Sequence, residues 1–174
     1  MRAPVPGQGR GERAGLPLPG IYTKVIRMSI GKILLPTDGS VYTNPAIDKG
    51  LELAKLSGAT VTAFYVLDQS VYSNMPMDAA IVNVYETLEK EGREAVAYVK
   101  KKAEDADVPF EEKIVEGLPA SAINEASKDF DMIVMGTLGR TGMSKALMGS
   151  VAEKVIEGAK CPVMVVRSDA SRKN

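Results

Sequence analysis

The sequence predicts an α/β fold: an open, doubly wound sheet of five parallel strands in the order 3-2-1-4-5, with helices on both faces. Three observations predict it. Five short apolar runs alternate with four stretches of helical periodicity, and parallel neighbours need crossover helices. The runs Ile33-Leu34-Leu35 and Met132-Ile133-Val134-Met135 are apolar throughout, as in strands buried on both faces. Right-handed crossovers then place strands one and four side by side, where the winding reverses and ligands bind beyond the carboxyl ends of the strands.

Taken in order, residues 1–27 hold four of the ten prolines, five of the sixteen glycines and five basic residues against one acid. No apolar period runs through them, so they read as a disordered extension, or as a stretch added upstream of a natural start at Met28. No apolar stretch of signal-peptide length follows the arginines. The domain proper is expected at 28–168, with a frayed polar tail at 169–174.

Strand one, Lys32 to Pro36, ends in Thr37-Asp38-Gly39-Ser40. A helix follows, starting at Asn44, with Pro45 in its first turn, or at Ser40 with a kink, and stopping at Gly58. Asp38 is either a turn-forming residue or a ligand contact at the carboxyl end of a strand. Strand two, Val61 to Val66, is rich in β-branched and aromatic residues. The loop from Asp68 to Met77 contains Met75-Pro76-Met77, a candidate ligand cover or an ordinary surface loop. A long helix with Ile81, Tyr85, Leu88, Gly92, Ala95, Val99 and Ala103 on one face comes next, and Lys100-Lys101-Lys102 near its end suit the negative pole of the macrodipole. Strand three, Phe110 to Val115, is polar enough for an edge. Gly117-Leu118-Pro119 opens a short helix with Ile123 and Ala126 facing inward. Strand four, Asp131 to Met135, leads into GTLGRTGMSKALMGSV, residues 136–151; the last helix runs to Gly158, and Pro162 to Val166 is strand five.

That stretch spaces its glycines as Gly136, two residues, Gly139, nine residues, then Gly149-Ser150. A strand opening into a glycine-rich loop and then a helix suits an oxyanion, because backbone N–H groups can close on it without a Cβ between. Ser150-Val151-Ala152-Glu153 matches a capping box, which predicts a helix start capped by Ser150, where free N–H groups and the macrodipole also favour an anion. The alternative is that Gly136 and Gly142 only turn the chain and Ser150 only caps. The pattern is neither a Walker A loop nor a dinucleotide fingerprint. In the order 3-2-1-4-5 this loop and Thr37 to Ser40 meet at one crevice, which favours a site.

Composition narrows the chemistry. The 174 residues are 45% apolar and 25% charged with zero formal net charge, so one globular domain is expected and no basic field marks a nucleic acid or membrane partner. Histidine is absent, which removes the usual general base and the commonest transition-metal ligand. The single Cys161, ahead of Pro162 and a strand, reads as a structural thiol in a reducing cytoplasm.

Pro36-Thr37-Asp38-Gly39-Ser40, the glycine spacing ending in Gly-Ser-Val-Ala-Glu-Lys-Val and the closing Cys-Pro-Val-Met-Val-Val resemble the universal stress protein family, over about Lys32 to Arg167. Within that family the full glycine pattern marks the ATP-binding branch. The resemblance implies phosphate contacts from Gly139, Arg140, Gly149 and Ser150, ribose-side contacts from Gly136, adenosine contacts from Pro36, Thr37, Asp38 and Val66, and Val151 lining the pocket. Leu138 and Leu118 depart from the family pattern, the first at a position often polar, the second where an Asp often caps the third helix. The implied function is an ATP-binding regulatory or stress-response module, holding ATP with Mg and acting as a cytoplasmic homodimer through strand five. Two other readings stand beside it: a slow metal-dependent ATPase, weakened by Asp38 being the only acid in the crevice, and a nucleotide-free interaction protein with a relic loop.

Overall fold

The computed structural model describes residues 30–76, 79–140 and 148–168. The extension at 1–27, Met77, Gly142 with the rest of 141–147, and the tail at 169–174 lie outside these. Five strands, β1 (Lys32–Pro36), β2 (Thr60–Asp68), β3 (Phe110–Gly117), β4 (Met132–Gly136) and β5 (Val163–Val166), form one sheet in the order β3-β2-β1-β4-β5. Every pairing is parallel. The helices are α1 (Asn44–Ser57), α2 (Ala79–Asp105), α3 (Pro119–Ala126) and α4 (Ser150–Gly158).

Alternation along the strands divides the core in two. Ile33 and Leu35 of β1, with Val61, Ala63 and Tyr65 of β2, pack with Ile47 and Leu51 of α1 and Val96 and Val99 of α2. Leu34, Phe64, Ile133 and Met135 face the other way, onto Ile123 of α3 and Val155 of α4. The period of two in the strands thus meets helices on both faces, and the middle of each central strand is buried on both faces for that reason. β3 lies at one edge, and none of its residues is fully buried, as its polar sequence predicts.

The differences from the sequence reading are local. β2 and β3 run two residues beyond the ends expected at Val66 and Val115, because each continues the other's ladder to Asp68 and Gly117. The loop after β2 contains a 3-10 turn, Gln69–Val71, capped by the Asp68 carboxylate on the Ser70 N–H. α1 starts at Asn44 rather than Ser40, after a turn in which the Thr43 N–H reaches the Ser40 carbonyl. Lys102 at the end of α2 pairs with Asp48 of α1 at 2.5 Å, a more specific partner than the helix pole. Cys161 is half-buried beside the α3/α4 core, and burial pushes its thiol above the usual range.

Candidate functional site

The crevice lies where β1 and β4 run side by side and the chain leaves them in opposite directions. β1 delivers Pro36 at its last position, and Thr37 extends the ladder by donating its N–H to the Phe64 carbonyl at 3.0 Å. The buried Thr37 hydroxyl lies 3.2 Å from that of Thr43 and accepts the Gly39 N–H, which fixes the turn. β4 ends at Gly136 and continues the same way, with the Thr137 N–H on the Val166 carbonyl. The far end of the loop is tied back by the Gly149 N–H, which reaches the Thr137 carbonyl at 2.8 Å.

Asp38 forms the turn that the sequence allows it and makes a second contact that the sequence does not show. One carboxylate oxygen accepts the Ser40 N–H at 2.9 Å, closing its own turn. The other accepts the backbone N–H of Arg140 at 2.7 Å, across 102 residues of chain, and so latches the glycine loop to the end of β1. The latch explains Gly139. A Cβ there would stand 2.5 Å from Asp38 Oδ2, so only a glycine lets the loop come this close. The space that Gly139 keeps free is therefore occupied by Asp38.

The start of α4 corrects the capping box. Gly149 is the N-cap residue and Ser150 the first helical residue, and no side-chain cap is made. Ser150 was displaced by one position because Gly149, held on Thr137, already has the extended conformation that a cap requires and its carbonyl accepts the Glu153 N–H. The consequence bears on the site. The N–H groups of Ser150, Val151 and Ala152 have no intrahelical acceptor, the Ser150 hydroxyl is not spent on them, and all three residues line one cavity.

That cavity has a volume of about 350 Å³, in the range of small-molecule sites. It brings together the ten residues that the family resemblance implies as nucleotide contacts. From the strand ends come Pro36, Thr37, Asp38 and Val66; from the loop and α4 come Gly136, Gly139, Arg140, Gly149, Ser150 and Val151. Leu138 lines it as well, and so does Asp68, which β2 carries to the crevice by running two residues beyond Val66; Asp38 is therefore not the only acid there. Val71 reaches it from the 3-10 turn, whereas Met75 and Pro76 do not line it. Leu118 is the uncapped start of α3, as its sequence predicts, and this costs about 1 kcal/mol. The cavity is thus an apolar hollow with a cluster of backbone donors at the end where α4 begins.

Two residues at the site escape the sequence. Arg140 donates through Nη2 to the Tyr65 hydroxyl at 2.5 Å, and Nη2 lies 2.8 Å from Glu91 Oε2 of α2. Its Nε donates to the Asp38 carbonyl at 2.9 Å. Burial pushes the Tyr65 phenol above its usual range; the Arg140 charge opposes this and Glu91 adds to it. Tyr65 reads as one more core residue in an alternating strand, and Glu91 as one charge on a solvated helix face.

The universal stress protein family profile matches residues 29–167. The chain belongs to the universal stress protein family. It is 44% identical over 138 residues to universal stress protein MJ0531 of Methanocaldococcus jannaschii, a match covering 78% of this chain and 81% of that protein. Among solved structures, the protein MJ0577 of the same organism superposes with a TM-score of 0.71 at 30% identity, over 84% of this chain and 99% of the other. A universal stress protein family protein from Arabidopsis thaliana, solved with AMP bound, superposes with a TM-score of 0.60 over 83% of this chain and 95% of the other; at 17% identity it shares the fold. The resemblance read from the motifs is therefore that of family to member. Among the described residues, no helix is long and apolar enough to cross a membrane.

Proposed function

We propose that the chain is an ATP-binding regulatory module of the stress response, whose nucleotide state alters its assembly or its contacts with a protein partner. The observation that carries the reading is the cluster of N–H groups at Ser150, Val151 and Ala152, without a bonded acceptor among the described residues, at a cavity whose other end is apolar. A helix N-terminus favours an oxyanion, and the hollow beside Pro36 and Val66 has the apolar character that suits a nucleoside. The full glycine spacing, which in this family goes with ATP, supports the triphosphate over a bare nucleoside.

Mg would be carried mainly by the phosphates. Among the described residues no group of three or more Asp, Glu, His or Cys could hold a metal, and Asp38 is the carboxylate that bonds the backbone of the glycine loop, with Asp68 also lining the cavity and Glu91 paired to Arg140. Both Asp38 oxygens already accept backbone N–H groups, which leaves each one acceptor position for a metal or for a metal-bound water. Turning Asp38 into a water-orienting base would break the latch that shapes the loop, so the arrangement favours holding the nucleotide over hydrolysing it.

The partner surface we propose is β5. Its neighbour β4 is bonded through the carbonyls of Pro162 and Val166, so the peptide groups of Val163 and Val165 face the open edge. Pairing with the same strand of a second copy about a twofold axis would satisfy them. The test of the nucleotide reading is to denature freshly purified chain and identify what it releases by mass. Adenine nucleotide near one per chain supports the reading; a chain that releases none and shows no thermal shift with ATP overturns it in favour of a nucleotide-free interaction protein.

A further inference from the structure

We propose that Tyr65 and Glu91 are positioning residues for the phosphate end of the site, acting through Arg140; the proposal rests on the nucleotide reading above. Arg140 is the last residue of the glycine loop before 141–147, and its side chain is held at two of its three nitrogens. Nε is on the Asp38 carbonyl, and Nη2 donates to the Tyr65 hydroxyl while pairing by charge with Glu91 Oε2 at 2.8 Å, with the guanidinium 5.9 Å from the Tyr65 ring centroid. No hydrogen bond engages Nη1 among the described residues. A guanidinium fixed along one side and open on the other is prepared for a phosphate oxygen, because the entropy of ordering the long side chain is already lost.

The clasp is built from the core outward. Tyr65 is 2% exposed, so its hydroxyl needs a partner, and Arg140 supplies one. The ring lies against Gly92 of α2, where a Cβ would stand 2.8 Å from Tyr65 Cδ1 and 2.9 Å from Cε1. A glycine inside a helix costs about 1 kcal/mol relative to alanine. Here it admits the ring that carries the hydroxyl to Arg140, and the adjacent Glu91 supplies the counter-charge. Glu91 and Arg140 are each nearly half exposed, so their ion pair alone would contribute little; its use is to fix direction together with the buried hydroxyl.

The experiment compares wild type with Tyr65→Phe, Glu91→Gln and Gly92→Ala in the full chain. Calorimetry measures affinity for ATP and for adenosine, and amide hydrogen exchange follows Gly139 and Arg140 without nucleotide. We expect each variant to bind ATP roughly 10-fold more weakly, as the guanidinium loses the bond or the counter-charge that orients it, with adenosine affinity unchanged and faster exchange at both amides. Equal losses for ATP and adenosine would overturn the proposal, since they would reflect general damage to the hollow. So would unchanged ATP affinity. A wild-type chain that binds neither ligand would overturn the nucleotide reading instead, and the exchange comparison would then decide by itself whether Tyr65 and Glu91 hold the loop.

Discussion

Replacing Gly139 by alanine tests the latch between the two loops at the level of single atoms. The new Cβ would stand 2.5 Å from Asp38 Oδ2, and that oxygen cannot retreat without releasing the Arg140 N–H it accepts at 2.7 Å. A hydrogen bond to a charged group contributes about 1.5–3 kcal/mol. Against this, Gly→Ala stabilises by about 0.4–1 kcal/mol by restricting the unfolded chain. The expected net loss is therefore about 1–2 kcal/mol in urea unfolding. The origin of the loss is isolated by a double-mutant cycle with Asp38→Ala, which removes the carboxylate and with it the clash. In that background Gly139→Ala should cost nothing or stabilise slightly. An equal cost in both backgrounds would refute the reasoning, because the glycine would then be needed for something other than Asp38.

Three further outcomes follow from particular residues. The Tyr85 hydroxyl donates to Glu116 at 2.6 Å, and this bond, ahead of burial, holds its pKa at about 12 against about 10 for the free side chain. A raised pKa means that the folded state favours the protonated phenol, so its contribution is complete below pH 10 and is lost as pH rises from 10 to 12; wild type should lose stability faster than Tyr85→Phe across that window in denaturant titrations. Val163→Pro should weaken dimerisation in sedimentation at low micromolar concentration while ATP still binds, since it removes a donor on the open edge and spares the carbonyls that hold β4; a wild-type chain that is monomeric throughout would sink the assembly proposal. Deleting residues 1–27 should leave melting temperature and ATP affinity within experimental error, because that segment has no apolar period to bury; a drop of several degrees would show that it docks on the domain.

The architecture was legible because its signals are periodic. Ile33-Leu34-Leu35 is apolar at every position since residues of opposite parity face different helix layers, and the alternation of strand and helix leaves few topologies for a parallel sheet. The crevice residues were legible for a related reason, as glycines and turn formers at strand ends are needed for backbone geometry that side chains would obstruct. What remained hidden depends on tertiary contact. Ser-x-x-Glu fits a helix start one residue either side, and only the Gly149–Thr137 bond decides that Ser150 lies inside the helix. Tyr65 and Glu91 belong to a strand and a helix whose patterns are fully explained without a site. The one trace they left was Gly92, an interior helix glycine with no turn to make, which signals that something must pack closely there.

The central claim is that the crevice between β1 and β4 holds ATP against the start of α4, and the most direct measurement is an ATP titration followed by backbone amide chemical shifts. The account predicts saturable shifts, one nucleotide per chain, concentrated at Ser150, Val151 and Ala152, at Gly136 to Arg140 and at Asp38 to Ser40, with the α4 amides moving in the direction of stronger hydrogen bonding. Shifts confined to other surfaces, or none at millimolar ATP, would contradict it.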